Sequence, residues 1–194
     1  FGYLSIVLHG TTILAQSVAI GGVAFLVFLL RPLTPAIGAS APAIAQAAVR
    51  LTAWSALTLA TSECLIVAMQ AAILTDTVGI SLAGALVSHA ALAGLAKIGL
   101  SVVLAILLFR RGIAAPAIPL LILAALELTA ATLTTHAIAR LDDRAPLVAA
   151  NWLHQAGAAL WIGGIPAFLI ALAMARSEMA IRVIGARFSR LSML

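Results

Sequence analysis

The sequence predicts an all-α protein, a polytopic transmembrane helix bundle of five spans plus the start of a sixth, with its N-terminus outside. Three observations carry this expectation. The 194 residues are 64% hydrophobic and 9% charged, with a mean hydropathy of +1.20, more apolar surface than a soluble fold can hide. The apolar residues fall in unbroken runs that meet the roughly 20 residues a span needs, without the alternation of a barrel strand. The basic residues gather at the ends of those runs. The net charge of +5 is therefore a topology signal rather than a phosphate-binding stripe, so the lipid bilayer is the expected partner and nucleic acid is not. The single cysteine, Cys64, has no partner for a disulfide.

The first span runs from about Tyr3 to Leu30 and stops at Arg31-Pro32; Pro32, Pro35, Gly38 and Pro42 mark a loop. The second extends roughly from Ile44 to Leu74, with a turn at Thr75–Gly79. The third covers about Ser81 to Phe109, closed by Arg110-Arg111-Gly112. The fourth occupies roughly Ala117 to Ala139, and the fifth roughly Pro146 to Ala175. Residues 1–194 thus read as one transmembrane helical domain.

Orientation follows from the arginines. Arg31, Arg110, Arg111, Arg176, Arg182, Arg187 and Arg190 fall on one side. The other side holds Asp76 and the mutually cancelling set Arg140, Asp142, Asp143 and Arg144. The positive-inside rule makes the first side cytoplasmic, which predicts a multi-pass protein of a bacterial inner membrane. Arg50 is expected to snorkel to the cytoplasmic headgroups.

On this layout His9, His89, His136 and His154 form a layer. At about 1.5 Å per residue, all four lie within roughly 6–12 Å of the outer boundary. An ionisable side chain within a span is costly, so four at one depth are metal- or cofactor-ligand candidates. The plain reading of each, a hydrogen bond to a neighbouring helix, stands beside it. His9 continues into Thr12 and Gln16, His136 is preceded by Thr132 and Thr129, and His154 shares a face with Asn151 and Trp161. Such stripes supply groups that fix a ring's tautomer. His89 is flanked by Ala and Ser with no polar stripe beneath it. Cys64 and Met69 are soft donors suited to Cu(I), or ordinary packing residues.

Glu63, Lys97 and Glu127 fall near mid-span. The economical reading is a pair between Lys97 and one of the carboxylates, with proton or ion passage as the functional alternative. Glu127 lies about 180° around its helix from His136, which separates it from the histidine layer.

The segment Thr135-His136-Ala137 followed by Asn151-Trp152-Leu153-His154-Gln155-Ala156-Gly157 and Trp161-Ile162-Gly163-Gly164 resembles the signature of the CopD family of bacterial copper-resistance membrane proteins. Leu8-His9, Gly21-Gly22-Val23-Ala24-Phe25 and Arg31-Pro32 are similar to the family's opening, and Ala186-Arg187-Phe188-Ser189-Arg190-Leu191 to its sixth helix. The resemblance spans the chain, strongest at the fourth and fifth helices and weakest across the second and third. It implies part of a protein of about eight spans in two four-helix repeats. His9, His136 and His154 match family positions; His89 matches none. An internal echo agrees with such a repeat, since Ile20-Gly21-Gly22-Val23-Ala24-Phe25-Leu26 resembles Ile162-Gly163-Gly164-Ile165-Pro166-Ala167-Phe168-Leu169. Simple helix packing is the readier explanation of the paired glycines.

The resemblance implies copper binding or transport, with copper arriving from the outer side and a periplasmic copper carrier as a partner. Imidazole is a good copper ligand. The alternative is b-type haem held by two histidines on facing helices, in an electron-transfer protein that meets a cytochrome. Gly10, Ala137 and Gly157 leave room for a flat macrocycle. A subunit of a larger respiratory complex is a third reading. No hydrolase triad, P-loop, dinucleotide fingerprint or Cys-rich zinc pattern occurs, so the chain does not read as a conventional enzyme.

Overall fold

The computed structural model describes residues 2–134, 144–191 and 193. His136, Arg140, Asp142 and Asp143, and with them one of the expected ligands, lie outside the described residues. Among those described, every regular element is helical. Helix α1 spans Gly2–Ala24, α2 Arg31–Ile37, α3 Ala41–Val78, α4 Leu82–Leu86 and α5 His89–Arg111. They are followed by α6 at Ala117–Leu133, α7 at Arg144–Trp161, α8 at Ile165–Met174 and α9 at Glu178–Leu191.

Three helical stretches are long and apolar enough to cross a membrane: Gly2–Val78, His89–Ala114 and Ala145–Met174. Ala117–Leu133 is apolar but shorter. The first stretch reverses direction near Gly38, because α1 packs along α3 and Gly38 takes φ 67°. Large apolar side chains such as Leu65, Leu92, Val103, Ile118 and Ile122 stand exposed around the bundle. A lipid environment gives them the apolar neighbours that water would not.

The segment expected as a loop after Arg31 is helical instead. Phe25–Leu30 widens into a π-helical turn, with the Arg31 N–H donating to the Leu26 carbonyl, and α2 follows directly. Pro32 falls in the first turn of α2, where its missing N–H costs little. The Phe28 carbonyl that Pro32 cannot serve accepts from Arg187 Nε at 3.3 Å. Helix α3 outlasts its expected end because Thr75 and Thr77 turn their hydroxyls back onto the Ala72 and Ile73 carbonyls, at 2.8 and 2.6 Å. Gly79, at φ 72°, ends it in the left-handed conformation.

Two expected single spans are broken. Ser81 caps α4 and Ser88 caps α5, their hydroxyls accepting from the Gly84 and Ala91 N–H groups at 3.2 and 3.3 Å. The fifth span breaks at residues 162–164, and Pro166 sits in the first turn of α8.

Helix α3 is central, packed on α1 and α5; α6 joins α5 to α7, and α7 returns to α1. Gly21 and Gly163, one from each Gly-Gly pair of the echo, meet at that return, while Gly22 packs against Thr52 on α3. A methyl group at Gly21 would fall 2.3 Å from the Ala159 carbonyl oxygen, and one at Gly163 would fall 1.8 Å from that of Ser17. At the arginine-bearing end the bundle is a dry core of Leu26, Leu29, Leu30, Ile44, Leu104 and Leu120. Helix α9 closes that end through Ala180, Ile184 and Phe188, the last stacked on Phe168 at 4.2 Å. Arg31 reaches the Ala115 carbonyl there.

Replacing Gly163 by Ala is expected to destabilise by about 1–3 kcal/mol, the range for overpacking a well-packed interface. Gly99, with open space around it, is the control: Gly99→Ala is expected to be neutral or stabilising by up to about 1 kcal/mol. Thermal unfolding in detergent checks both; equal midpoints would contradict the tight α1–α7 contact.

Candidate functional site

Opposite the dry core, the N-terminal half of α1, the C-terminal half of α3, the start of α5, the end of α6 and the middle of α7 enclose a cavity of about 630 Å³ in which polar side chains are set among apolar surface. His9 and His154 line it from facing helices and are both exposed. Thr12 and Gln16 lie below His9, one and two turns along α1. A chain of amides crosses between the helices. Gln16 Nε2 donates to Gln155 Oε1 at 3.4 Å, and Gln155 Nε2 to Asn151 Oδ1 at 3.3 Å.

A backbone carbonyl one turn earlier holds the His9 ring. Its Nδ1 lies 2.8 Å from the Ser5 carbonyl oxygen, which can only accept, so Nδ1 carries the proton of the neutral ring. Nε2 is left with its lone pair, the tautomer a metal ligand needs.

Deeper in the cavity stands a buried ion pair. Lys97 Nζ donates to Glu63 Oε1, with Lys97 4% and Glu63 5% exposed. An isolated charge at a helix centre costs about 3 kcal/mol on insertion scales, and a hydrogen-bonded partner offsets most of it. Gly94, one turn before Lys97, lets α5 approach α3 here; a methyl group on it would meet the Val67 side chain at 2.6 Å. Glu127 takes a different partner. It is 1% exposed and accepts from the Ser101 hydroxyl on Oε1, while Oε2 has no hydrogen-bond partner among the described residues.

Of the four histidines, the structure brings His9 and His154 to one cavity. His89 is exposed and opens α5 directly after the Ser88 cap, not deep in a span; its neighbour Ala90 faces the cavity. Among the described residues no three of His, Cys, Asp and Glu converge as a metal cluster. Cys64 is exposed and borders a separate apolar pocket of about 380 Å³ between α3, α4 and α5. Met69 is half-buried on α3 and lines neither space. Thr132 is buried and its hydroxyl returns to the Leu128 carbonyl at 2.8 Å. Trp161 is exposed, away from the cavity.

Gln70, Ser101 and Gln155 escaped the sequence reading. The signals were present: Glu63, Ile66, Val67 and Gln70 follow the spacing of one helix face, and Ser101 lies one turn beyond Lys97. Comparison with protein-family models, with curated proteins and with solved structures finds no match for the chain.

Breaking the ion pair by Lys97→Met is expected to cost roughly 3–5 kcal/mol, because it strands a buried carboxylate. Adding Glu63→Gln to that variant should recover part of the loss. A double-mutant cycle on unfolding free energies measures this, and strictly additive losses would show that the two groups do not interact.

Proposed function

We propose that this chain is a copper-binding, copper-transporting protein of a bacterial cytoplasmic membrane, with five spans and its N-terminus outside. Copper enters the cavity from the outer face, where His9 and His154 are its first ligands and His136 is the expected third. The observation that carries the reading is the pair of histidines on facing helices lining one cavity at the end away from the arginines. The proton on His9 Nδ1 supports ligation through Nε2. The dry core beyond the cavity supports access from one side only in this conformation. The resemblance to the CopD family agrees with a copper cargo. His89, which does not line the cavity, is not among the copper ligands in this reading, and Cys64 and Met69 are packing residues.

The second reading, a b-type haem in an electron-transfer protein, has one observation in its favour. A cavity of about 630 Å³ lies within the range of organic-ligand sites, roughly 300–1,000 Å³, and exceeds what a single ion needs. The same two histidines would hold the iron, and the haem would supply one-electron chemistry.

One preparation separates the two. The copper reading expects the purified protein, loaded with cuprous ion and washed, to retain copper and show no Soret absorption. His9→Ala and His154→Ala should each weaken copper affinity at least tenfold, the equivalent of about 1.4 kcal/mol. A reduced b-type spectrum lost on either replacement would establish haem instead, and a wild type that retains neither would end both readings.

Topology is tested in a Cys64→Ser background, since the native thiol is exposed. A cysteine placed at Gly79 should react with a membrane-impermeant reagent from the outer face of intact cells. Reaction only after the cells are opened would put the cavity on the wrong side.

A further inference from the structure

The buried cluster beneath the histidines is unbalanced in charge. Two carboxyl groups, Glu63 and Glu127, share one ammonium, Lys97, and all three are at most 5% exposed. With every group ionised the cluster would hold a net negative charge in the apolar interior, which is expensive. One further positive charge has to be supplied, as a proton on a carboxyl or as a cation from the cavity.

The geometry assigns the two carboxyls different tasks. Glu63 and Lys97 line the cavity, so a cation descending past His9 and His154 meets the Glu63 carboxylate first. Glu127 is set off from it, held through Ser101, with one oxygen lacking a partner among the described residues. Ser101 is one turn beyond Lys97 on α5, so the lysine stem starts close to both carboxyls. Lys97 and Glu63 are the charged groups that act on Glu127. Helices α1 and α7 also pack on α6; among the described residues their titratable contributions to the cavity, His9 and His154, stand at its exposed end.

We propose that Glu63, Lys97 and Glu127 form a proton-for-cation exchange site. In the arrangement observed, the Lys97 ammonium pairs with Glu63 and Glu127 is a neutral acid. A monovalent cation then binds the Glu63 carboxylate, and the Lys97 ammonium turns to Glu127. The Glu127 O–H bond breaks, its electron pair stays on the carboxylate, and the proton leaves past Lys97, which lines the cavity. The cluster is neutral before and after, with one proton released for each cation bound. The inference rests on the cavity being a cation's way in, and copper is one candidate cation among several.

Infrared spectroscopy of the full chain in lipid nanodiscs tests this, because imidazoles also release protons on binding metal and only a carboxylic acid gives the acid carbonyl stretch. The wild type should show that band, Glu127→Gln should lose it, and Glu127→Asp should shift it. Cuprous ion, silver ion or sodium ion, each added against a choline background, should abolish the band in the wild type. In Lys97→Met the band should persist with cation present, because the ammonium that replaces the proton is gone. A wild type without the band overturns the proposal, as does a band that survives saturation with all three cations. If sodium abolishes it while copper fails to bind the histidines, the exchange site stands and the copper reading falls.

Discussion

An ammonium group held inside an apolar bundle constrains everything around it. Lys97 is 4% exposed, and without an anion beside it the helix carrying it would be poorly tolerated in a bilayer. Glu63 supplies that anion from α3, and Gly94 lets the two helices come close enough for the contact. The pair also marks a boundary. Toward the histidines the bundle interior is open and carries many polar side chains; toward the arginines it is mostly leucine, isoleucine and alanine, with Thr52 and Ser101 among the few buried polar groups. In the proposed reading, a cation accepted at the histidine end meets this charge before it meets the apolar core.

The second constraint is steric. Helix α7 brings His154, Asn151 and Gln155 to the cavity only because its end lies against α1, with Gly163 on the Ser17 carbonyl and Gly21 on that of Ala159. No side chain fits between those backbones. The break at residues 162–164, fixed by Pro166 at the start of α8, then lets the chain leave the contact and pack α8 on α3. Gly21 touches the Gly163-Gly164 segment and Gly22 lies on Thr52 of α3, so close helix packing accounts for the echoed glycines directly. Removing that contact would move His154 away from His9, coupling the packing of α1 on α7 to the chemistry of the cavity.

Much of this was legible in the sequence, because hydropathy and charge placement act over whole helices. The helical class, the apolar stretches, the arginine end, and the grouping of His9, Thr12, Gln16, Asn151 and His154 all follow from periodicity. What failed was local. Ser88 reads as an ordinary polar residue in a span unless it is recognised as a cap, and with that cap His89 moves from inside the outer part of the third span to the first residue of α5. Pro32 reads as a loop residue, yet it falls in the first turn of α2 and Arg187 donates to the Phe28 carbonyl that it leaves unserved. Choosing between Glu63 and Glu127 for Lys97 depended on interhelical distance, which no spacing along one helix encodes. The same limit applied to Cys64, whose position on α3 turns it toward a different pocket.

X-ray absorption at the copper K-edge of the protein loaded with cuprous ion tests the central claim most directly, since it reports which atoms surround the metal. Ligation by His9 and His154 predicts nitrogen neighbours with the outer-shell scattering of imidazole rings, diminished when either histidine is replaced by alanine and unchanged in Cys64→Ser. A spectrum dominated by sulfur, or one in which both histidine variants leave the imidazole signal intact, would contradict it.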